Sequence, residues 1–184
     1  MRELTSVSGD PIAVPDATRF VHLQFRRFAG CPVCNLHLQS LARRHDEILA
    51  AGIREVAVFH SSAQELLVYE GDLPFAVVAD PERKLYAEFG VESSPRALLD
   101  PRAWLPILRA VVHSVAAVAT GSGRVPPASP SGGRLGLPAD FLIASDGRVR
   151  ACKYGVHADD QWSVDELLGH ARSAEGRKRE SLGY

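Results

Sequence analysis

The stretch from Phe20 to Leu41 constrains this chain more than any other. The mostly apolar residues Phe20–Phe25 predict a strand, and after five further residues the motif Cys31-Pro32-Val33-Cys34 opens a predicted helix. Pro32 suits the first helical turn, because its missing N–H would have no partner there in any case. The pattern therefore places two thiols, three residues apart, at the start of a helix that follows directly from a strand.

A cysteine at the start of a helix lies where a thiolate is stabilised. The first-turn N–H groups have no partners within the helix, and the helix dipole adds partial positive charge. Both effects lower the pKa of a thiol. We expect Cys31 to be exposed and to attack, while Cys34 lies on the inward face with Leu38 and Leu41 and closes a disulfide. The reverse assignment, in which Cys34 attacks and Cys31 resolves, stays open.

Composition and charge limit the partners of the chain. Its 184 residues can form a core without disulfide staples, and its formal net charge is −1. That charge predicts no binding of nucleic acid. The apolar stretch 104–120 is interrupted by Pro106, Arg109 and His113, so we expect no membrane span. Residues 1–6 contain no apolar run, and we therefore expect no secretory signal and a cytoplasmic protein.

Three cysteines are too few for a disulfide framework, because two form the CxxC motif and Cys152 stands alone. In a chain without an export signal, such a motif indicates redox chemistry or metal binding. A zinc site needs two more ligands, and His37 is the only nearby candidate in the sequence. We therefore predict a redox pair with no metal and no cofactor, and we expect Cys152 to be a small packed residue.

The other elements of the first half alternate between strands and helices. The predicted strands are 20–25, 53–59 and 75–79, and the predicted helices are 31–52, 63–70 and 83–89. This order argues for a largely parallel, right-handed wound sheet. The density of apolar residues in the first of these strands suits a central position, covered on both faces.

An insertion at about 91–136 interrupts the alternation. It contains a helix at 104–119 and a loop at 121–136 that is rich in glycine, proline and serine. The predicted apolar face of the helix, which would serve as core or as a dimer contact, consists of Leu105, Leu108, Val112, Val115 and Val118.

The pattern resumes with a hairpin around Ser145-Asp146-Gly147, whose predicted strands are 140–144 and 148–154. Ser163 and Glu166 then form a capping box that opens a last helix, ending at about Ala171. We therefore expect one domain over residues 1–176 and a disordered tail at 177–184.

This arrangement resembles the thioredoxin fold. The run Leu137-Pro138-Ala139-Asp140-Phe141-Leu142-Ile143, with Ser145-Asp146-Gly147-Arg148-Val149 after it, is similar to the proline–strand–turn–strand segment of thioredoxin-like and peroxiredoxin proteins. The segment 78–91 resembles the peroxiredoxin helix before that strand. The likeness is closest to peroxiredoxin-like proteins of the alkyl hydroperoxide reductase/thiol-specific antioxidant group, which keep Gly-Cys-x-x-Cys and carry a helical insertion. It implies an α/β fold with a central mixed sheet flanked by helices and an insertion before the hairpin.

The resemblance also implies roles for single residues. In thioredoxin-like members the proline before the hairpin is cis, packs against the CxxC and shapes a groove for the substrate backbone; that role falls on Pro138, with Pro95 as its competitor. The catalytic candidates are Cys31, Cys34 and Pro138. Other peroxiredoxin positions differ here, because the P-x-x-x-T-x-x-C motif would have Arg27 in place of its proline and Cys31 in place of its threonine.

Pro138 also stands where peroxiredoxins have an arginine opposite the thiolate. Candidates to replace that arginine are Arg26, Arg27 and Arg96. Because neighbours on a strand alternate faces, we expect one of Arg26 and Arg27 to point to solvent.

Three functions follow from these residues. The leading expectation is an oxidoreductase that exchanges thiols and disulfides through its CxxC pair. The alternative is a peroxiredoxin-like thiol peroxidase that reduces hydroperoxides, with Cys34 peroxidatic and Cys31 resolving. A third is a non-catalytic binding protein. The expected partners are a thiol reductant and a protein disulfide or hydroperoxide, with neither nucleic acid nor membrane, and a homodimer is one assembly that the sequence allows.

Overall fold

The computed structural model describes residues 2–91, 93–94, 96–121, 124–127, 130 and 133–181, without the side chains of Arg96 and 177–181. The strands are β1 (Arg2–Thr5), β2 (Pro11–Val14), β3 (Phe20–Phe25), β4 (Ile53–Phe59), β5 (Ala76–Ala79), β6 (Ala139–Ile143) and β7 (Val149–Tyr154). The helices are α1 (Pro32–Arg43), α2 (His45–Ala50), α3 (Ala63–Tyr69), α4 (Lys84–Glu88), α5 (Arg96–Leu99), α6 (Pro101–Ala119) and α7 (Val164–Ser181).

Strand β3 is the centre of a five-stranded sheet in the order β5-β4-β3-β6-β7. It runs parallel to β4, and β4 runs parallel to β5. On the other side β6 lies antiparallel to β3, and β7 completes the hairpin with β6. A separate antiparallel pair is formed by β1 and β2. The α/β class, the central position of β3 and the hairpin after the insertion are as predicted.

Apolar residues fill both faces of the sheet, as the composition of β3 requires. One core joins Leu38 of α1, Leu66 of α3 and Leu167 of α7. The other joins Phe25 of β3 to Tyr86 of α4. The start of α1 lies at the end of β3, on the first of these faces, and this junction carries both thiols of the CxxC motif.

The helix predicted over 31–52 is divided in two. Its backbone leaves helical geometry at Arg44, where φ is −113° and ψ is 20°. The predicted inward face is nevertheless correct, since Cys34, Leu38 and Leu41 are all fully buried.

Helix α6 does not bury in the core the apolar face predicted to serve as core or as a dimer contact. Ala103 and Ala110 are buried, and the helix packs against α1. Leu108 and Val112, which belong to the predicted apolar face, are 60% exposed, so the core alternative is wrong for them and the dimer contact stays a prediction. Periodicity identifies an apolar stripe but does not say which neighbour it meets, and here small side chains make the contact with α1.

The last helix is longer than predicted. The capping box is confirmed, because the Glu166 N–H donates to Ser163 Oγ at 3.3 Å and the Ser163 N–H donates to Glu166 Oε2 at 2.7 Å. The helix then passes Ala171 and continues to Ser181, so 177–181 are helical and not part of a disordered tail. Residues 171–181 are mostly alanine, arginine, lysine and glutamate, which propagate a helix without an apolar stripe.

Candidate active site

The first thiol lies at the junction between β3 and α1. Cys31 is the N-cap residue of α1, with extended backbone angles, and Pro32 follows at the first helical position as predicted. Gly30 precedes it with φ of +72°, a conformation that favours glycine. The chain therefore turns sharply out of the strand and places the Cys31 side chain at the positive end of the helix dipole.

The surroundings of Cys31 favour its thiolate. Burial raises the pKa of this thiol, but a hydrogen bond from Cys34, the charge of Arg27 and the backbone N–H groups of Cys34 and Val33 outweigh burial and lower the pKa to about 6. The Nη1 atom of Arg27 donates to Cys31 Sγ at 3.6 Å. Cys31 therefore holds a thiolate more readily than an ordinary cysteine does.

The second thiol has the opposite tendency. The pKa of Cys34 is raised well above its ordinary value because its S–H is held by the Cys31 sulfur and because burial and the neighbouring negative charge disfavour a second thiolate. The pair therefore carries one negative charge, and that charge is favoured on Cys31. This division of charge suits Cys31 as the attacking atom and Cys34 as the resolving one.

Both arginines of the β3–α1 junction are buried, so the expectation that one of them points to solvent is wrong. They leave the strand in different directions, because the regular alternation of β3 ends at Phe25. Arg27 reaches Cys31 and also donates to the main-chain carbonyl of Arg134. Arg26 instead enters the core, where its Nη2 donates to Asp140 Oδ1 at 2.8 Å.

A buried polar network holds the floor of the site beneath α1. Asp140 accepts from Arg26 and lies 3.0 Å from His22 Nε2, and the charge of Arg26 and this contact outweigh burial and keep its pKa well below the usual range. His37 Nε2 lies 3.3 Å from Arg26 Nη2, and burial lowers the pKa of this histidine to about 3.

In the described part of the chain no three metal-ligating side chains cluster together. His37 is therefore a neutral member of this network, without the further ligands that zinc needs.

Cys31 is buried, with 1% of its surface exposed, and the expectation of an exposed thiol is wrong. Residues 124–127 and 133–136, here called the cover segment, pass over the start of α1. Tyr69 donates to the Val125 carbonyl at 3.0 Å, and the Pro127 ring lies so close to Gly30 that a Cβ there would be 3.0 Å from it. The insertion thus closes the site that the local sequence leaves open.

Glu70 is a buried acid at the edge of the site. Its Oε1 accepts the Gly30 N–H at 3.1 Å, directly before Cys31. Burial is the main reason that its pKa is raised to about 7, and the charge of Cys31 adds to the effect. Together with Gly30 and Pro32, the residues on either side of Cys31 in the chain, it lines a pocket of about 140 Å³. The carboxyl group is therefore able to exchange protons near neutral pH.

The structure does not bear out the cis geometry expected for Pro138, because the Leu137–Pro138 peptide is trans. Its carbonyl accepts the Gly155 N–H at 2.9 Å, and its ring lies over Gly155. The pocket that it lines is formed by residues 90, 91, 94, 137, 138 and 154–156, and its lining includes no residue of α1. Pro95, its competitor, lies outside the described residues.

Two further expectations concern single side chains. Cys152 is exposed on β7, so the expectation of a packed residue is wrong. The side chain of Arg96 lies outside the described part, so its role as a replacement arginine stays a prediction. Sequence reasoning missed Glu70 and Pro127, since neither belongs to a motif and both reach the thiols only through the tertiary fold.

Comparison with known proteins adds a family and a fold. A model of the AhpC/TSA antioxidant enzyme family matches residues 40–157, more than half of the chain and starting after the two thiols. No curated protein matches the chain by sequence.

Solved structures are similar over nearly the whole chain. Peroxidoxin BcpB from Mycobacterium tuberculosis superposes with a TM-score of 0.64 at 16% identity, over 94% of this chain and 92% of that one. The bacterioferritin comigratory protein of Xanthomonas campestris gives 0.63 at 13% identity, over 94% and 91%. A thiol:disulfide interchange protein DsbE of Chlorobium tepidum, described as putative, gives 0.56 at 17% identity, over 92% of each chain. These likenesses show the thioredoxin-like fold expected from the sequence.

Proposed function

Since this chain belongs to the AhpC/TSA antioxidant enzyme family, we propose that it is a thiol peroxidase in which Cys31 attacks a hydroperoxide and Cys34 resolves the product. The observation that carries the proposal is the buried Cys31 thiolate with the Arg27 guanidinium 3.6 Å from its sulfur. The assignment reverses the one expected for peroxide chemistry from the sequence, because the pKa of Cys34 is raised while that of Cys31 is lowered.

The size of the substrate follows from the burial of Cys31. Exchange with a protein disulfide requires an in-line approach of two sulfurs, which a sulfur with 1% exposure does not offer without movement of the cover segment. A hydroperoxide is small enough for the pocket at Gly30 and Pro32, the residues on either side of Cys31, and it needs a smaller opening to reach the sulfur than a protein disulfide does. The arginine near the sulfur would stabilise the negative charge that develops as the O–O bond breaks.

The reaction balances with these groups and a thiol reductant. The Cys31 thiolate bonds to the outer oxygen of the hydroperoxide, the O–O bond breaks, and the leaving alkoxide takes a proton, for which neutral Glu70 is the candidate donor. Cys31 is then a sulfenic acid, and Cys34 condenses with it to form a disulfide and release water. A thiol reductant finally returns two electrons and two protons to the pair, which fits the reducing cytoplasm proposed for this chain.

A second candidate is exchange with a protein disulfide. It is favoured by the division of charge between the thiols, because a low-pKa attacking cysteine and a protonated resolving cysteine also suit that reaction. The route differs from peroxide reduction in one structural requirement, namely that the cover segment must leave Cys31.

The test compares the two oxidants on one reduced protein. We expect hydrogen peroxide to consume the two thiols at least tenfold faster than the disulfides of insulin do, measured as loss of free thiols against time. In Cys34→Ser, peroxide should leave a sulfenic acid on Cys31 that dimedone traps, whereas Cys31→Ser should form none. Cys152→Ser is the matched control and should react like the wild type, because Cys152 lies on β7.

The other results are equally informative. Faster reaction with insulin would replace the peroxidase by the disulfide exchanger. A sulfenic acid on Cys34 would restore the reverse assignment of roles. Thiols that survive both oxidants would leave the non-catalytic binding protein as the remaining interpretation.

A further inference from the structure

The insertion differs in charge from the rest of the chain. Residues 91–136 contain five arginines and no lysine, against two acidic residues, so their formal net charge is +3. The whole chain has a formal net charge of −1, and the remaining residues therefore carry −4. The same segment contains α6, which by length and composition alone is apolar enough to cross a membrane. Positive charge and apolar surface are thus concentrated in one part of the chain.

Helix α6 presents its large apolar side chains to solvent. The residues it buries against the domain, Ala103 and Ala110, are small. On the outer face Leu105, Leu108 and Val115 are each 57–63% exposed. A surface helix normally buries such residues and leaves the outer face polar. Exposed apolar faces of this kind mark sites where a protein or a membrane binds.

The edge of this apolar face carries positive charge. At 3.6 residues per turn, Arg102 and Arg109 lie along one edge of the face, on the side of Leu105, and both are exposed. Trp104 lies on the other side of the line through Leu108 and is 61% exposed. Helix α6 contains neither aspartate nor glutamate. Large apolar residues with tryptophan among them and arginine along the edge are typical of helices that lie in the interface of an anionic membrane.

We propose that α6 docks the domain onto the surface of a membrane that contains anionic phospholipid, with the helix axis parallel to the bilayer. Ala103 and Ala110 stay packed against α1, so the helix does not leave the domain as it would to span the bilayer. The exposed leucines and valines enter the boundary between headgroups and acyl chains, and the arginines bind lipid phosphates. The expectation of no membrane partner rested on the interrupted span and on the charge of the whole chain, and neither applies to a basic segment that lies in the interface.

A second copy of the chain is the other occupant to test. Two α6 faces packed antiparallel about a two-fold axis bring the same edge of each helix together. The edges that carry Arg102 and Arg109 would then lie side by side, and neither helix has a carboxylate to pair with them. Like charges placed opposite one another disfavour an interface. Phospholipid headgroups supply the negative charge that this edge lacks, and charge complementarity therefore favours the lipid.

Docking through α6 turns the start of the redox helix towards the lipid. Val111, Val115 and Val118 line an apolar pocket of about 360 Å³, and Pro32 lines it with them. Pro32 follows Cys31 directly in the chain. The surface that meets the membrane therefore extends to the first turn of α1. Binding itself needs neither thiol, and so it does not depend on the function proposed above.

Flotation of the reduced protein with vesicles tests the proposal. Vesicles of mixed phosphatidylglycerol and phosphatidylcholine should bind it at least tenfold more tightly than vesicles of phosphatidylcholine alone, and added salt should weaken the binding. Leu108→Glu should weaken binding at least tenfold, and the double variant Arg102→Gln, Arg109→Gln should weaken it about fivefold for each arginine on the anionic vesicles only. Leu67→Glu, at a residue 52% exposed on α3, and Arg148→Gln, at an exposed residue between β6 and β7, are the matched controls and should bind like the wild type.

Other results would contradict the proposal. A wild-type protein that floats with neither kind of vesicle, or binding that Leu108→Glu leaves unchanged, would overturn it. A protein that stays off the vesicles but forms a dimer in sedimentation equilibrium, which Leu108→Glu dissociates, would identify a second copy as the occupant and overturn the lipid. Cys31→Ser should float like the wild type, so the result stands apart from the test of the peroxidase.

Tryptophan fluorescence tests which face meets the lipid. Trp104 is 61% exposed, whereas Trp162 is 3% exposed in the core. Anionic vesicles should shift the emission to shorter wavelength, and lipids brominated on their acyl chains should quench it. Trp104→Phe keeps an apolar side chain on the face, so this variant should still float while both changes in emission disappear. A response that persists in Trp104→Phe would place another surface on the membrane and overturn the docking through α6.

Discussion

The floor of the site is built by residues that are neighbours in the sequence, whereas its cover is built by residues that are far from them in the sequence. The floor, residues 25–34, is built by neighbours: β3 ends, Gly30 turns the backbone, and Pro32 starts the helix. The cover consists of Tyr69, Glu70 and the cover segment, which reach the same place from about 40 and 100 residues away along the chain.

The two regions control different parts of the chemistry. The floor provides the helix N-terminus and the arginine that favour a thiolate on Cys31, and so it supports the thiol chemistry proposed for this site. The cover hides that thiolate and adds the carboxyl group of Glu70, and so it determines what reaches the sulfur. Local sequence is thus enough to propose thiol chemistry, whereas substrate access depends on tertiary contacts.

The cover lies close to the floor at Gly30, and a methyl group there should push the two apart. Gly30→Ala should destabilise the protein by about 3–4 kcal/mol, because a left-handed backbone costs about 1–2 kcal/mol and the new Cβ would lie 2.7 Å from the Tyr69 ring. Gly52→Ala is the matched control, with φ of +70° and nothing within 4 Å of the added Cβ. It should lose only the backbone part, measured by urea unfolding. Equal losses would mean that the cover does not press on Gly30.

How much of the fold and of the site can be predicted from the sequence depends on how far apart along the chain the contacting residues lie. The bounds of β3 and β4 follow from their apolar runs, and the inward face of α1 follows from periodicity. The orientation of α6 does not, because its stripe and its alanines both fit a helical period and only the packing against α1 chooses between them. The burial of Cys31 is missed for the same reason, since no local signal connects it to Pro127.

Removal of the Arg27 guanidinium should make the Cys31 thiolate less stable. Without the Arg27 guanidinium, the pKa of Cys31 should rise by about 1–3 units from its value of about 6. The rate of alkylation by iodoacetamide at pH 6 should then fall about tenfold or more in Arg27→Gln, and its pH midpoint should move upwards. Arg27→Lys keeps a positive charge and should recover part of the loss. An unchanged midpoint in the glutamine variant would remove Arg27 from the site.

The acid in the cover should make the stability of the protein depend on pH. The pKa of Glu70 is about 7 in the folded protein against an ordinary 4.5, so the stability that it contributes is fully present below about pH 4.5 and is lost as the pH rises through about 7. Wild type should therefore lose about 3 kcal/mol relative to Glu70→Gln between pH 4.5 and pH 8, measured by urea unfolding of the reduced proteins.

The neighbouring thiolate sharpens this last prediction. Burial is the larger cause of the raised pKa of Glu70, and the charge of Cys31 is the smaller one. In Cys31→Ser the loss of stability should consequently persist but occur at a lower pH. If the serine variant lost its stability over the same pH range as the wild type, the carboxyl of the cover and the thiolate of the floor would be electrostatically independent, and Glu70 would have no role as a proton donor at the sulfur.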